Sequence, residues 1–359
     1  MKLKVNAFEK EYPVLIENNF TELGNSLKSV QQVSNFFVIS EKEILGLFQK
    51  ELEPELLSTG VPFHYIEIKG REKNKHISKT EDVYDKLISL GVDRKSVIIA
   101  LGGGVVGDFS GFIASTILRG IRFVQVPTTL LAAVDSSVGG KVAVNANLGK
   151  NMIGAFHQPE LVYFSKESLN SLPEVEWRCG LAEVLKHSLL SGTEFFEMMK
   201  EVSKTNYKSP EKIEFYVEKS VEFKSSVVKA DPKENGLRAI LNLGHTMGHA
   251  IESYLNYKKL SHGEAVSVGL VTALLLSERR FGLKKEVLKD VIQFQKRLGL
   301  PFRFTIKPEE AMEHMKFDKK NSNGEFKFVL LKDLGEPSFG NTVTESELSE
   351  ILLEQTKLT

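Results

Sequence analysis

The chain has a single cysteine, Cys179, in 359 residues. An intrachain disulfide is excluded, and the composition fits a reducing compartment such as the cytoplasm. Net charge is lacking too, since Lys plus Arg and Asp plus Glu each number 47. Without a global bias there is no electrostatic footprint for nucleic acid or an anionic membrane, so an anionic ligand must be gripped by a local cluster of cations. No apolar run approaches the roughly 18 residues a membrane span needs. The segment Met1–Asn6 carries lysines and no apolar core, so no secretory leader is expected. Internal repeats and low-complexity segments are absent. Histidine is scarce, eight in all, and its distribution is the first positive signal.

Hydrophobic content of 42% and charged content of 26% are ordinary for a globular protein, and the length allows two domains. Residues 1 to about 20 alternate weakly around Tyr12-Pro13 and read as edge strands in a hairpin. Phe36–Ser40, Phe63–Ile68, Ser96–Ala100, Phe123–Val126 and Leu161–Phe164 read as buried strands. A helix with Val83, Leu87, Ile88 and Leu90 stops at Gly91, and another carries Phe109, Phe112, Ile113, Thr116 and Ile117. Strands alternating with helices predict an open, mostly parallel α/β sheet. Past Leu172-Pro173 long helical patterns take over, over Glu174–Ser191, Glu211–Lys229, His245–Leu255 and Gly263–Phe281. The expected division is therefore an α/β domain over 1–172 and an all-helical domain over 173–359.

Three of the histidines cluster in Leu241–Glu252 and His262-Gly-Glu264. His245 and His249, four apart, share one face of a helix. With His262 in the adjacent turn they point to a metal site, because imidazole is the commonest zinc ligand and a catalytic site needs about three protein ligands. In Cys179–His187, Glu183 and Lys186 share a helix face. Alone they would be an ordinary ion pair, but with Ala182, Val184 and Leu185 around them the face is not a generic solvated one. A carboxylate there could complete a Glu/His/His set.

Gly102-Gly-Gly-Val-Val-Gly-Asp108 follows a strand and opens a helix, whose free N–H groups suit a pyrophosphate. The spacing only approximates the Rossmann fingerprint, and a tight structural turn would also explain it. Thr128 and Thr129 end the next strand, on the edge where such sheets bind ligands, and together the two favour a dinucleotide. Asp135–Lys141 and Gly149–Gly154 are rich in glycine and small polar residues. They are either surface loops or the lining for a phosphorylated, polyhydroxylated substrate, with Lys141, Lys150 and Asn151 donating and Asp135 accepting.

Taken in order, Gly102–Asp108, Pro127–Thr129, Asp135–Lys141, Gly149–Gly154, Gly180-Leu-Ala-Glu183, Asn242-Leu-Gly-His-Thr-Met-Gly-His249 and His262-Gly-Glu264 resemble the 3-dehydroquinate synthase family of sugar-phosphate cyclases. The match runs from about residue 95 to Lys320. The resemblance implies a Rossmann-like NAD domain, a helical second domain and an active site in the cleft between them. It makes Glu183, His245 and His262 the ligands of zinc (or cobalt), and turns His249 to the substrate phosphate and proton transfer. Lys186, Lys224, Arg238 and Asn242 match residues holding the substrate's carboxylate and hydroxyls. Lys141, Asn151, His249 and Lys320, or its neighbour Lys319, match the phosphate grip. Arg119 matches an arginine that reaches a neighbouring subunit's site, which implies a homodimer. Gly103 and Gly104 lie in the NAD loop, and Asp108, Thr128, Thr129, Lys141 and Lys150 belong to the same NAD-side set. Two places depart from the pattern. Glu41 stands where an aspartate commonly holds the adenosine ribose, and in Gly70–Lys75 an extra Arg71 precedes Glu72 and Lys75.

The implied activity is conversion of 3-deoxy-D-arabino-heptulosonate 7-phosphate to 3-dehydroquinate and phosphate, the second step of the shikimate pathway, with NAD reduced and regenerated within each turnover. Rival readings are a cyclase of the valiolone or deoxy-inosose type, which needs no carboxylate grip, and a polyol dehydrogenase of the glycerol dehydrogenase type, which would yield net NADH. A dinucleotide sensor would require a broken metal set.

Overall fold

The computed structural model describes residues 1–7, 10–234, 236–316 and 326–359. The chain divides into two compact units: one is Met1–Leu172 with Lys224–Pro232, the other Pro173–Phe223 with Lys233–Thr359. The expected boundary at residue 172 differs in one segment, since Lys224–Pro232 groups with the first unit.

In chain order the first unit contains β1 (Lys2–Ala7), β2 (Lys10–Glu17), α1 (Leu23–Lys28), β3 (Phe36–Glu41), α2 (Lys42–Ser58), β4 (Phe63–Ile68), α3 (Thr80–Ser89), β5 (Val97–Gly102), α4 (Gly104–Thr116), β6 (Arg122–Pro127), β7 (Lys141–Ala146), β8 (Gly149–Phe156) and β9 (Leu161–Ser165). Seven strands form one sheet in the order β1-β2-β9-β6-β5-β3-β4. All pairings are parallel except β1 with β2. Only β1 of the expected edge hairpin is an edge strand, because β2 also pairs with β9. Pro13 is tolerated because that ladder begins one residue later, at Val14.

The apolar runs are strands because both faces of the sheet are covered. Phe36, Val38, Val97 and Ile99 face one core with Leu45, Leu52 and Leu56 of α2. The alternate residues Phe37, Ile39 and Ile98 face the other, with Val83 and Leu87 of α3 and Phe109 and Ile113 of α4. After β3 the chain runs outward to β4, and β5 returns on the other side of β3. The carboxyl ends of β3 and β5 therefore flank the point where strand order reverses, the usual ligand crevice of such sheets. Of the two glycine-rich stretches read as loops or lining, Gly149–Gly154 lies in β8, which pairs with β7 as an antiparallel hairpin, whereas only Lys141 of Asp135–Lys141 enters it.

The second unit is built on α5 (Glu174–Ser191), α6 (Thr193–Lys200), most of α7 (Pro210–Ala230), α8 (His245–Tyr254), α9 (His262–Phe281), α10 (Lys285–Leu298), α11 (Pro308–Lys316) and α12 (Glu345–Thr356). It is not all-helical: β10 (Phe326–Asp333) and β11 (Glu336–Val343) form an antiparallel hairpin. Helix α9 is its axis, with every residue from Gly263 to Ser277 buried. Such a helix is apolar around its whole circumference because neighbours cover every side.

Candidate functional site

In the second unit, the first residue of α8 and the first residue of α9 are both histidines, His245 and His262. Glycine brings the two helices together. A Cβ on Gly269 of α9 would lie 2.0 Å from the Gly244 carbonyl oxygen, and one on Gly263 would lie 2.3 Å from the Cys179 carbonyl of α5. The start of α9 is further fixed by a capping box between Ser261 and Glu264. Arg178 of α5 donates to Glu264 Oε1 at 2.9 Å.

These contacts place Glu183 of α5 against both rings. His245 Nε2 lies 3.7 Å and His262 Nε2 3.8 Å from Glu183 Oε1. Tetrahedral zinc bound at about 2.0–2.1 Å sets its ligand atoms roughly 3.3–3.4 Å apart, so a small inward movement would make a site. His245 Nδ1 lies 3.2 Å from the Leu243 carbonyl, which can only accept, so Nδ1 carries the proton and Nε2 the lone pair. Burial holds the His245 pKa well below its ordinary value, with the Lys186 ammonium adding to it, and the ring stays neutral, as a ligand must.

Glu183 is fully buried, and among the described residues its partner is the buried Lys186 ammonium, which forms an ion pair with it. A buried carboxylate in that state is costly, and a divalent cation shared with the two imidazoles would satisfy it. The donor set fits zinc or a similar ion. His249 stands outside this trio. Its ring is 5.4 Å from that of His245 and 6.0 Å from that of His262, and it groups instead with Glu252 and His262. Helical spacing favoured His245 with His249; in the structure His245 groups with Glu183 of α5 and His262, and His249 with Glu252 and His262. Nearby, Arg238 is buried, and the Asn242 amide donates to the Ala239 carbonyl at 3.2 Å and meets Glu234 Oε1 at 3.4 Å.

The first unit has its own polar constellation at the sheet's reversal point. Glu41 ends β3 and presses on Gly70, where a Cβ would fall 2.0 Å from the Glu41 carboxyl carbon. Gly103 and Gly104 begin α4 behind β5, and the Thr128 N–H donates to the Gly102 carbonyl at 3.0 Å. Lys75, absent from any strand or helix, is buried and donates to Asp108 Oδ2 of α4 at 2.8 Å. Burial opposes its charge, but Asp108 and Glu72 outweigh that and raise its pKa. Glu72 Oε1 accepts from Asn145 Nδ2 at 2.8 Å, while Asn145 Oδ1 accepts from the Asn151 N–H at 2.8 Å. The extra Arg71 is absorbed at positive φ, 72°, just before Glu72.

Asn145 therefore joins two sequence-named residues, and the sequence reading missed it. Its only sequence signal was a polar residue in an alternating run. Lys224 of α7 donates to the Asp135 carbonyl and to Asp135 Oδ1, at 2.7 and 2.8 Å. Asp135 sits in a π-helical turn, Ala132–Ser136, a distortion frequent at functional sites. Thr129 caps the turn before it, accepting from the Ala132 N–H at 3.2 Å. Lys141 and Lys150 lie on β7 and β8, and Arg119 is exposed after α4 at a φ of 68°. Lys319 and Lys320 lie outside the described residues.

Sequence comparison matches residues 65–179 to a family model described as 3-dehydroquinate synthase N-terminal and residues 180–321 to one described as 3-dehydroquinate synthase C-terminal. The chain is 52% identical over 345 residues to the 3-dehydroquinate synthase of Leptospira interrogans, covering 96% of this chain and 95% of that one. It is 37% identical to the enzyme of that name from Ruminiclostridium cellulolyticum, covering 98% of each. Among solved structures it resembles ValA, the 2-epi-5-epi-valiolone synthase of Streptomyces hygroscopicus subsp. jinggangensis, solved with NAD+ and Zn2+ bound (25% identity, TM-score 0.88, 99% of each chain). A 2-deoxy-scyllo-inosose synthase complexed with carbaglucose-6-phosphate, NAD+ and Co2+ shares the fold (24% identity, TM-score 0.87, 99% of this chain and 100% of that one).

Proposed function

The chain belongs to the 3-dehydroquinate synthase family, and from that premise we propose that it converts 3-deoxy-D-arabino-heptulosonate 7-phosphate to 3-dehydroquinate and phosphate. The observation that supports the reading is that Glu183, His245 and His262 offer ligand atoms within 4.8 Å of one another. When bound, NAD supplies and recovers a hydride, and a divalent metal supplies Lewis acidity toward a substrate hydroxyl.

The protein's residues do the rest. Glu183, His245 and His262 offer one lone pair each, and Lys186 holds the Glu183 carboxylate in place. Gly103 and Gly104 leave the α4 N-terminus open to a pyrophosphate. Asp108, Lys75 and Glu72 order the loop on the adenosine side, with Glu41, Thr128, Thr129 and Lys150 completing the dinucleotide contacts. Lys141, Asn151, His249 and Lys320 stabilise the departing phosphate electrostatically, and His249 handles a proton there. Lys224, Arg238 and Asn242 hold the substrate's carboxylate and hydroxyls, with Asp135 accepting from the latter. Holding the flexible product of phosphate loss in one orientation favours ring closure over its alternatives.

Arg238 and Lys224 favour a substrate with a carboxylate over the sedoheptulose phosphate of a valiolone-type cyclase. Arg119, exposed beyond α4, is assigned to a neighbouring copy's site in a homodimer. A single cysteine, Cys179, fits a reducing, cytoplasmic setting. No helix among the described residues is long and apolar enough to cross a membrane.

The test is purified protein with the heptulosonate phosphate, catalytic NAD and zinc. Phosphate and dehydroquinate should appear together without net NADH, and chelation should stop both. Turnover of sedoheptulose 7-phosphate in preference, or stoichiometric NADH from a simple polyol, would overturn the reading.

A further inference from the structure

His262 presents Nε2 toward Glu183, and its other nitrogen is held by a residue given no role in the sequence reading. Nδ1 lies 3.1 Å from Glu252 Oε2. Glu252 belongs to α8 and is 5% exposed, whereas the His262 side chain is 31% exposed. A neutral imidazole has one N–H and one lone pair, and a carboxylate only accepts. A cation on Nε2 would leave the ring's one proton on Nδ1, where the Glu252 carboxylate is placed to accept it. His245 gets the same service from a backbone carbonyl, that of Leu243. For His262, the more exposed ring, the orienting group is a side chain that can be mutated.

We propose that Glu252 is a positioning residue of the metal site, fixing the tautomer and direction of His262 and raising the donor strength of its Nε2. This rests on the reading that Glu183, His245 and His262 hold a divalent metal. The physical basis is general: a carboxylate behind a ligating histidine fixes the ring and makes it a better donor. Removing the carboxylate frees the proton to move to Nε2, which deletes a ligand from the trio without touching any ligand. Glu252→Gln keeps an acceptor for Nδ1–H but loses the charge, and Glu252→Leu loses both, so the two variants should differ in degree.

The experiment titrates metal-free wild type, Glu252→Gln, Glu252→Leu and a surface control, Glu350→Gln, with zinc against a fluorescent chelator. It also records imidazole ¹⁵N spectra of the metal-free proteins. The expected result is zinc affinity about 10–100-fold weaker in the Glu252 variants, more so for leucine, with the control unchanged. In wild type His262 should carry its proton on Nδ1, and the Nε2–H form should grow in the variants. Zinc affinities within about twofold of wild type in both variants would overturn the inference while leaving the metal site standing. A folded wild type whose neutral His262 carries its only proton on Nε2 would overturn it as well, even if the leucine variant fails to fold. Failure of wild type to bind zinc at all would remove the metal reading and this inference with it.

Discussion

Glu183 is the side chain on which the metal site is most exposed to a single change. Glu183→Gln keeps its volume and replaces one carboxylate oxygen with an amide nitrogen that has no lone pair to give. Zinc affinity should fall by more than the roughly 10–100-fold typical of an outer partner, with turnover falling alongside it, as chelator competition and phosphate release would measure. Far from the site, Arg280 donates through Nε to Glu347 Oε1 at 2.7 Å and through a second N–H to Oε2. That guanidinium holds the Glu347 carboxyl below its ordinary pKa. A carboxyl depressed in this way contributes stability above the unfolded value, about 4.3, and the contribution is lost as pH falls through the lower folded value. Glu347→Gln should therefore cost about 1 kcal/mol at neutral pH and flatten the acid limb of the urea midpoint below about pH 4.5. Residue identity alone did not disclose Glu252. Three positions after His249 on a helix, it looks like any acidic residue, and its partner His262 is brought to it only by packing.

At the level of whole helices, His245 and His262 meet because α8 and α9 touch through glycine. Gly269→Ala would drive a methyl into the Gly244 carbonyl, which is backbone and cannot rotate away. The helices must separate, at a cost of about 1–3 kcal/mol, and zinc affinity should drop even though no ligand has changed. Thermal melting with and without zinc measures both effects, and a variant that melts lower yet binds zinc normally would contradict the link. The central strands were legible in the sequence because β3 and β5 are buried on both faces and read as continuous apolar runs. The β7–β8 hairpin was not, since glycine and small polar residues blur the two-residue period over Lys141–Phe156. The β10–β11 hairpin was missed because helical patterns surround it. For the metal trio, the residues themselves offered His245, His249 and His262 with Glu183 as a completing carboxylate, and the family resemblance set His249 aside; the ligand atoms of Glu183, His245 and His262 lie within 4.8 Å of one another.

For the molecule as a whole, the proposed homodimer makes a quantitative claim. If Arg119 serves the neighbouring copy, Arg119→Ala and Glu183→Gln should each be inactive alone. Mixed and reassorted at equal amounts, they should recover about one quarter of wild-type sites, because half the dimers are mixed and each of those has one complete site. No recovery in demonstrably mixed dimers would remove the inter-subunit role.

The end of α7 has a separate consequence. Lys224–Pro232 groups with the first unit although the helix that carries it begins in the second, and Lys224 supplies the ammonium that meets Asp135. A gene fragment ending at residue 172 would strand Asp135 without that cation. Dissecting this enzyme into autonomous halves by a single cut is thus the wrong operation, and a faithful dinucleotide-side fragment would have to be stitched from two distant pieces of the chain.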